Sequence, residues 1–182
     1  RADARLPVAL EILPQSSPNQ RYSVSDAIHE LARASGSIGM IAGQVADMQA
    51  EGSQQISVKQ LQYIHASKTA ALLSCSLRLG AMSANASPAR LQALSEFGRH
   101  VGLAFQVVDD ILDVTQSSDR LGKTAGKDQA AAKATYPALM GLSRSRRQAA
   151  RLTQKAFDAI KPFGAKAKAL HAMADFLLHR DY

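Results

Sequence analysis

The stretch Phe105-Gln106-Val107-Val108-Asp109-Asp110-Ile111-Leu112-Asp113-Val114 sets three carboxylates within five residues, among Val, Ile, Leu and Phe rather than among solvating Lys or Glu. On a helix Asp109 and Asp113 project from one face a single turn apart, with Asp110 beside them. Acids so close repel one another, and holding them next to apolar side chains is costly unless a cation compensates. Oxygen donors without His or Cys suit Mg²⁺ or Mn²⁺, and Mg²⁺ on a few carboxylates completes its octahedron with waters and phosphate oxygens. The alternative is an acidic helix end facing solvent or paired with arginine. Lys123, Lys127 and Lys133 follow on a polar stretch. Acids that bind metal, followed by lysines that neutralise what the metal leaves, are what a metal-bridged diphosphate needs. By themselves such lysines equally describe a solvated loop.

Two earlier segments carry further candidates. Lys68-Thr69 lies among Ile64, Ala71 and Leu72, where the lysine either serves a site or snorkels outward. Gly36, Gly39 and Gly43 recur at three- and four-residue intervals, which suits close helix packing; Gln44 and Asp47, three apart, share a face as a polar rim or as part of a site.

The elements that must position these residues read as helices throughout. Ala, Leu, Gln, Lys and Arg recur at helical spacing, and no alternating β-branched run marks a strand, so the class is all-α. Residues 1–22, with Pro7, Pro14 and Pro18, read as a short apolar piece and a loop. Ser23 with Asp26 resembles a capping box opening a long helix toward Glu51, with Ile28, Leu31, Ile38, Ile41, Val45 and Met48 as its apolar stripe. Ser57 with Gln60 opens a second, through Leu61, Ile64, Ala71, Leu72, Cys75 and Leu79. Ser87-Pro88 opens a third, through Leu91, Leu94, Phe97, Val101, Phe105, Val108 and Leu112, that stops shortly after Val114. Tyr136-Pro137 begins a fourth toward Ile160, and Pro162 with Gly164 sets off a fifth. Residues 23–182 are expected to pack as one helical domain.

At this point the residues resemble a family. Gly43-Gln44-Val45-Ala46-Asp47, Lys68-Thr69, the run from Gly102 to Asp113 and the run from Leu121 to Pro137 are similar, in order, to the C-terminal portion of trans-isoprenyl diphosphate synthases, most of all the bacterial farnesyl type. The resemblance implies an isoprenoid synthase-type helical bundle around a central cavity, a homodimer in the cytoplasm, and condensation of an allylic diphosphate with isopentenyl diphosphate. It further implies that Asp109, Asp110 and Asp113 hold Mg²⁺ against the allylic diphosphate. Lys68 and Lys123 would then contact that diphosphate, with Lys133 a basic position near it in the substrate site, and Thr69 and Gln106 would lie beside the reacting carbons. Gln44 and Asp47 would line the cavity wall, and Phe105, Val101 and Leu72 would keep it dry. The family's first aspartate-rich motif has no counterpart before Asp109. The expectation is therefore a C-terminal portion lacking the N-terminal helices and inactive by itself.

Composition narrows the rivals. The 182 residues are 46% hydrophobic and 20% charged, with one cysteine, Cys75, so an intramolecular disulfide framework and a cysteine zinc site are both excluded. No apolar run is long enough to span a bilayer. The net charge of +7 suggests an anionic partner, although no aromatic-interleaved basic patch favours nucleic acid. A class I terpene cyclase leans on aromatic side chains to stabilise cations, and this chain is 5% aromatic with no Trp. A non-catalytic synthase-like subunit would be expected to lose the acid and lysine positions, which are all present.

Overall fold

The computed structural model describes residues 5–51, 56–115 and 134–178, and among these there is no strand. In chain order the helices are α1 (Arg5–Ile12), α2 (Val24–Ser35), α3 (Met40–Ala50), α4 (Val58–His65), α5 (Ala71–Ser83), α6 (Pro88–Thr115), α7 (Tyr136–Met140), α8 (Leu142–Ile160) and α9 (Lys168–Leu178). A π turn, Ala66–Ala70, joins α4 to α5, and a 3₁₀ stretch, Lys161–Ala167, joins α8 to α9.

Local chemistry sets the helix starts where the sequence points to them. Ser23 accepts from the Asp26 backbone while the Asp26 carboxylate accepts from Ser23, and Ser57 with Gln60 repeats the arrangement, so both capping boxes are closed. The longest helix, α6, forms the spine: α5 packs on it from one side and α8 from another. Being covered from two sides, it buries more than one stripe. Phe97, Val101, Leu103, Ala104 and Val107 all fall at or below 2% exposure, whereas Leu91, Leu94, Phe105, Val108 and Leu112 are half-buried. Tyr136, Leu152, Ala156 and Ile160 complete the core on the α8 side.

Three expected helices break, each for a stated reason. The first, expected to run unbroken toward Glu51, divides between Ser35 and Met40. Gly36 is extended there, and a Cβ on Gly39 would sit 2.2 to 2.6 Å from backbone atoms of Arg33 and Ala34, so only glycine lets the chain turn this tightly. The break rotates α3 and corrects the expected stripe. Leu31 is buried, but Ile38, Ile41, Val45 and Met48 are 47–63% exposed, and α3 turns Gly43 and Asp47 inward instead. The second helix contains the π turn, and the fourth is interrupted at Gly141, whose φ of 81° is a left-handed conformation that favours glycine. The opening segment, expected as an apolar piece and a loop, is helical over Arg5–Ile12 with no buried residue.

Candidate functional site

The π turn is the local device that presents Lys68 and Thr69. The backbone N–H of Ala71 donates to the carbonyl of Ala66, five residues back, so one extra residue is accommodated and the turn widens. Helix α3 lies directly against it: a Cβ on Gly43 would come within 2.2 Å of the Lys68 nitrogen and 2.7 Å of its Cα. Backbone contact this close is open only to glycine. One turn along the same face, Asp47 meets Lys68 at 2.5 Å between Oδ2 and Nζ, with the carboxylate side chain 9% exposed and the lysine 32%. Of the three spaced glycines, Gly43 serves helix packing while Gly36 and Gly39 serve the turn before α3, and the packing at Gly43 brings an acid to a lysine. Gln44 lies off this face and is exposed, so the structure does not join it to Asp47.

Thr69 faces α6 instead. Its hydroxyl donates to Oε1 of Gln106 at 3.1 Å, and the approach of the two helices rests on Gly98 and Gly102, where a Cβ would meet Ser74 or Ala70 at 2.6–2.7 Å. Lys68, Thr69, Gln106 and Asp47 are therefore brought together by one unusual turn and three glycines. Phe105, next to Gln106, is half-buried, and Val101, expected at the cavity, is 2% exposed and belongs to the core.

A turn beyond Gln106, the three aspartates divide. Asp110 is 7% exposed, and its Oδ2 accepts from the Tyr136 backbone N–H at 2.9 Å, clasping the start of α7 onto the end of α6. Asp113 is 5% exposed, and its Oδ2 is buried with no hydrogen-bond partner. Asp109 is half-buried. Among the described residues no three His, Cys, Asp or Glu side chains already form a metal cage, so the three acids are adjacent without being closed around one point. An orphaned buried carboxylate oxygen is nevertheless what a cation would satisfy.

Tyr136 is the residue that pattern reading passed over. Its ring is 1% exposed, tilted against His65 at 5.6 Å, and burial followed by the nearby Asp110 carboxylate pushes its phenol up to about 12. The signal was present as a Tyr-Pro at a helix start, but its role depends on a contact across 26 residues. Lys123, Lys127 and Lys133 lie outside the described residues. Ala134, which follows Lys133, borders the same small recess as Asp47, Leu61 and Ile64.

The chain is similar to known proteins along most of its length. A family model described as polyprenyl synthetase matches residues 3–173. A chloroplastic geranylgeranyl pyrophosphate synthase of Capsicum annuum is 44% identical over 181 residues, covering 98% of this chain and 49% of the relative. A dimethylallyltranstransferase of Fischerella ambigua is 42% identical over 181 residues, covering 99% and 52%. The chain thus spans about half the length of these curated relatives. A crystal structure of geranyltransferase from Helicobacter pylori, complexed with magnesium and isoprenyl diphosphate, superposes with a TM-score of 0.76 at 31% identity, covering 97% of this chain and 57% of that one.

Proposed function

The chain belongs to the polyprenyl synthetase family, and from that premise we propose that it supplies the allylic-diphosphate side of a prenyltransferase joining an allylic diphosphate to isopentenyl diphosphate. The observation that carries the reading is the joint placement of Lys68, Asp47, Thr69 and Gln106 at the π turn, one turn from the acids of α6. Asp109, Asp110 and Asp113 would hold Mg²⁺, for which the unpartnered Oδ2 of Asp113 is suited; Oδ2 of Asp110 also accepts from the Tyr136 backbone N–H. A bound Mg²⁺ would supply the positive charge that makes diphosphate a good leaving group.

This chain's own residues do the remainder. Lys68 brings a fixed cation to the diphosphate, and Asp47 holds that ammonium in place. Thr69 and Gln106 fix one another beside the reacting carbons. Lys123 and Lys133 are assigned to the same diphosphate, in keeping with Ala134 lying near Asp47. Phe105 and Leu72 keep nucleophilic water from the allylic cation. Gln44, exposed on α3, is assigned to the rim.

The farnesyl product expected from the sequence stands beside relatives named for geranylgeranyl products, so the reading is a trans-prenyl diphosphate of either length. A homodimer is part of it, supported by the exposed row Ile38, Ile41, Val45 and Met48, which water solvates poorly. Cytoplasmic location is likewise assigned by resemblance; among the described residues no helix is long and apolar enough to cross a membrane.

The test uses two proteins: this chain alone, and this chain extended at its N-terminus by the segment that its longer relatives carry. Each is given dimethylallyl or geranyl diphosphate, isopentenyl diphosphate and Mg²⁺, with products separated by length. The extended protein turns over, EDTA stops it, and Asp109→Ala slows it by roughly 10²-fold or more; the chain alone does not turn over. Robust turnover by the chain alone overturns its assignment as a portion, and an inert extended protein overturns the function.

A further inference from the structure

The net charge has an address that the proposed site does not use. Residues 142–168 hold eight of the 22 Lys and Arg and one of the 15 Asp and Glu, a net +7, while the rest of the chain balances at 14 against 14. Arg144, Arg146, Arg147, Arg151, Lys155, Lys161, Lys166 and Lys168 are all exposed. On α8 the cations fall at 144, 147, 151 and 155, the spacing of one helix face, over about 16 Å of axis. The opposite face buries Ser145, Ala149, Leu152, Ala156 and Ile160. None of the four arginines of α8 pairs with a carboxylate among the described residues; Arg147 donates to Ser143, and Asp158, the one acid of the segment, is taken up by Lys161 at 2.7 Å. The diphosphate-handling residues lie on α3, the π turn and α6, so these cations are not part of that site.

We infer that α8 and the segment after it form a docking face for an anionic lipid bilayer. Charge complementarity selects an anionic partner, and the end of the same segment favours lipid over nucleic acid. Two turns beyond Lys168, Phe176 is 72% exposed, with Met173 at 40% beside it. Cations that meet headgroups, followed by apolar side chains free to enter the acyl boundary, are the two components of interfacial binding. Phe157 stacked on His171 at 4.7 Å ties α8 to α9, so both components belong to one packed unit. The face carries no ring of aromatics interleaved with its cations, as a nucleic-acid strand would require.

The test is sedimentation of the chain with vesicles of phosphatidylcholine alone or with one third phosphatidylglycerol, at low and high salt. Binding is expected to the anionic vesicles only and to fall at least tenfold in 0.5 M salt, since exposed charges are screened. Combined Arg144→Glu, Arg147→Glu and Arg151→Glu abolishes it, and Phe176→Ser weakens it severalfold. Lys59→Glu, a charge change outside the segment, leaves it intact, and helicity by circular dichroism confirms that each variant is folded. No binding to anionic vesicles, equal binding by the triple variant, or tighter binding to a single-stranded oligonucleotide of matched charge overturns the inference. Because vesicle binding is read without prenyl substrates, its failure is distinct from failure of the proposed activity.

Discussion

Lys68 and Asp47 show what a residue pair contributes that neither side chain does alone. Asp47 is 7% exposed, so removing the ammonium strips a buried carboxylate of its cation. Lys68→Ala is expected to destabilise the chain by about 1–3 kcal/mol in urea unfolding. Asp47→Asn should cost less once Lys68 is already gone, with a coupling of about 0.5 kcal/mol or more in the double-mutant cycle; simple additivity would mean that the pair does not act as a unit. Both residues were legible as polar positions on helices with apolar faces. Their pairing was not, because it spans 21 positions and depends on how two helices cross. The same holds for Asp110. Its type and spacing point to a metal site, whereas its bond to the Tyr136 backbone appears only when α7 returns to α6.

At the scale of elements, starts were legible and interruptions were not. Caps are local: Ser23 with Asp26 and Ser57 with Gln60 satisfy orphan backbone donors within one turn, so four residues determine them. The π turn answers to tertiary crowding, where Gly43 lets α3 touch its backbone, whereas the break before α3 is a tight turn that Gly36 and Gly39 allow against residues 32–34. Gly102→Ala is expected to cost about 1–3 kcal/mol, since its methyl would meet Ala70 at 2.6 Å and push the π turn from α6. Gly80→Ala, also helical but with nothing within 4 Å, should instead stabilise by about 0.5–1 kcal/mol. Chemical denaturation of the two variants reads both signs, and two losses of equal size would refute the packing explanation. The stripe expected on α3 fails for the same reason: helical periodicity tells which residues share a face, and the preceding turn decides where that face points.

At the scale of the whole molecule, stability should depend on a histidine of the spine. Burial, and after it the Arg99 guanidinium, hold the His100 imidazole below its ordinary range, although Glu96 at 3.5 Å pulls the other way. The folded state therefore prefers neutral His100. The stability it contributes is present above about pH 6.5, where the unfolded chain's histidine is also neutral, and is lost as pH falls through the lower folded value. His100→Gln is expected to flatten the decline of the urea midpoint between pH 7 and 5; an unchanged slope would assign that decline to other groups. The sequence by itself determined the helical class, the caps, the order of the motifs and so the family, because each depends on residue type within a few turns of chain. It also contained the charge of residues 142–168, although its total of +7 conceals that the cations stand together on one exposed face. Only the tertiary structure decided which glycines are contact points, that Lys68 meets Asp47 and Thr69 meets Gln106, and that Asp110 fastens α7 to α6. Those outcomes depend on distances between segments tens of residues apart, which are fixed by packing and not by local periodicity.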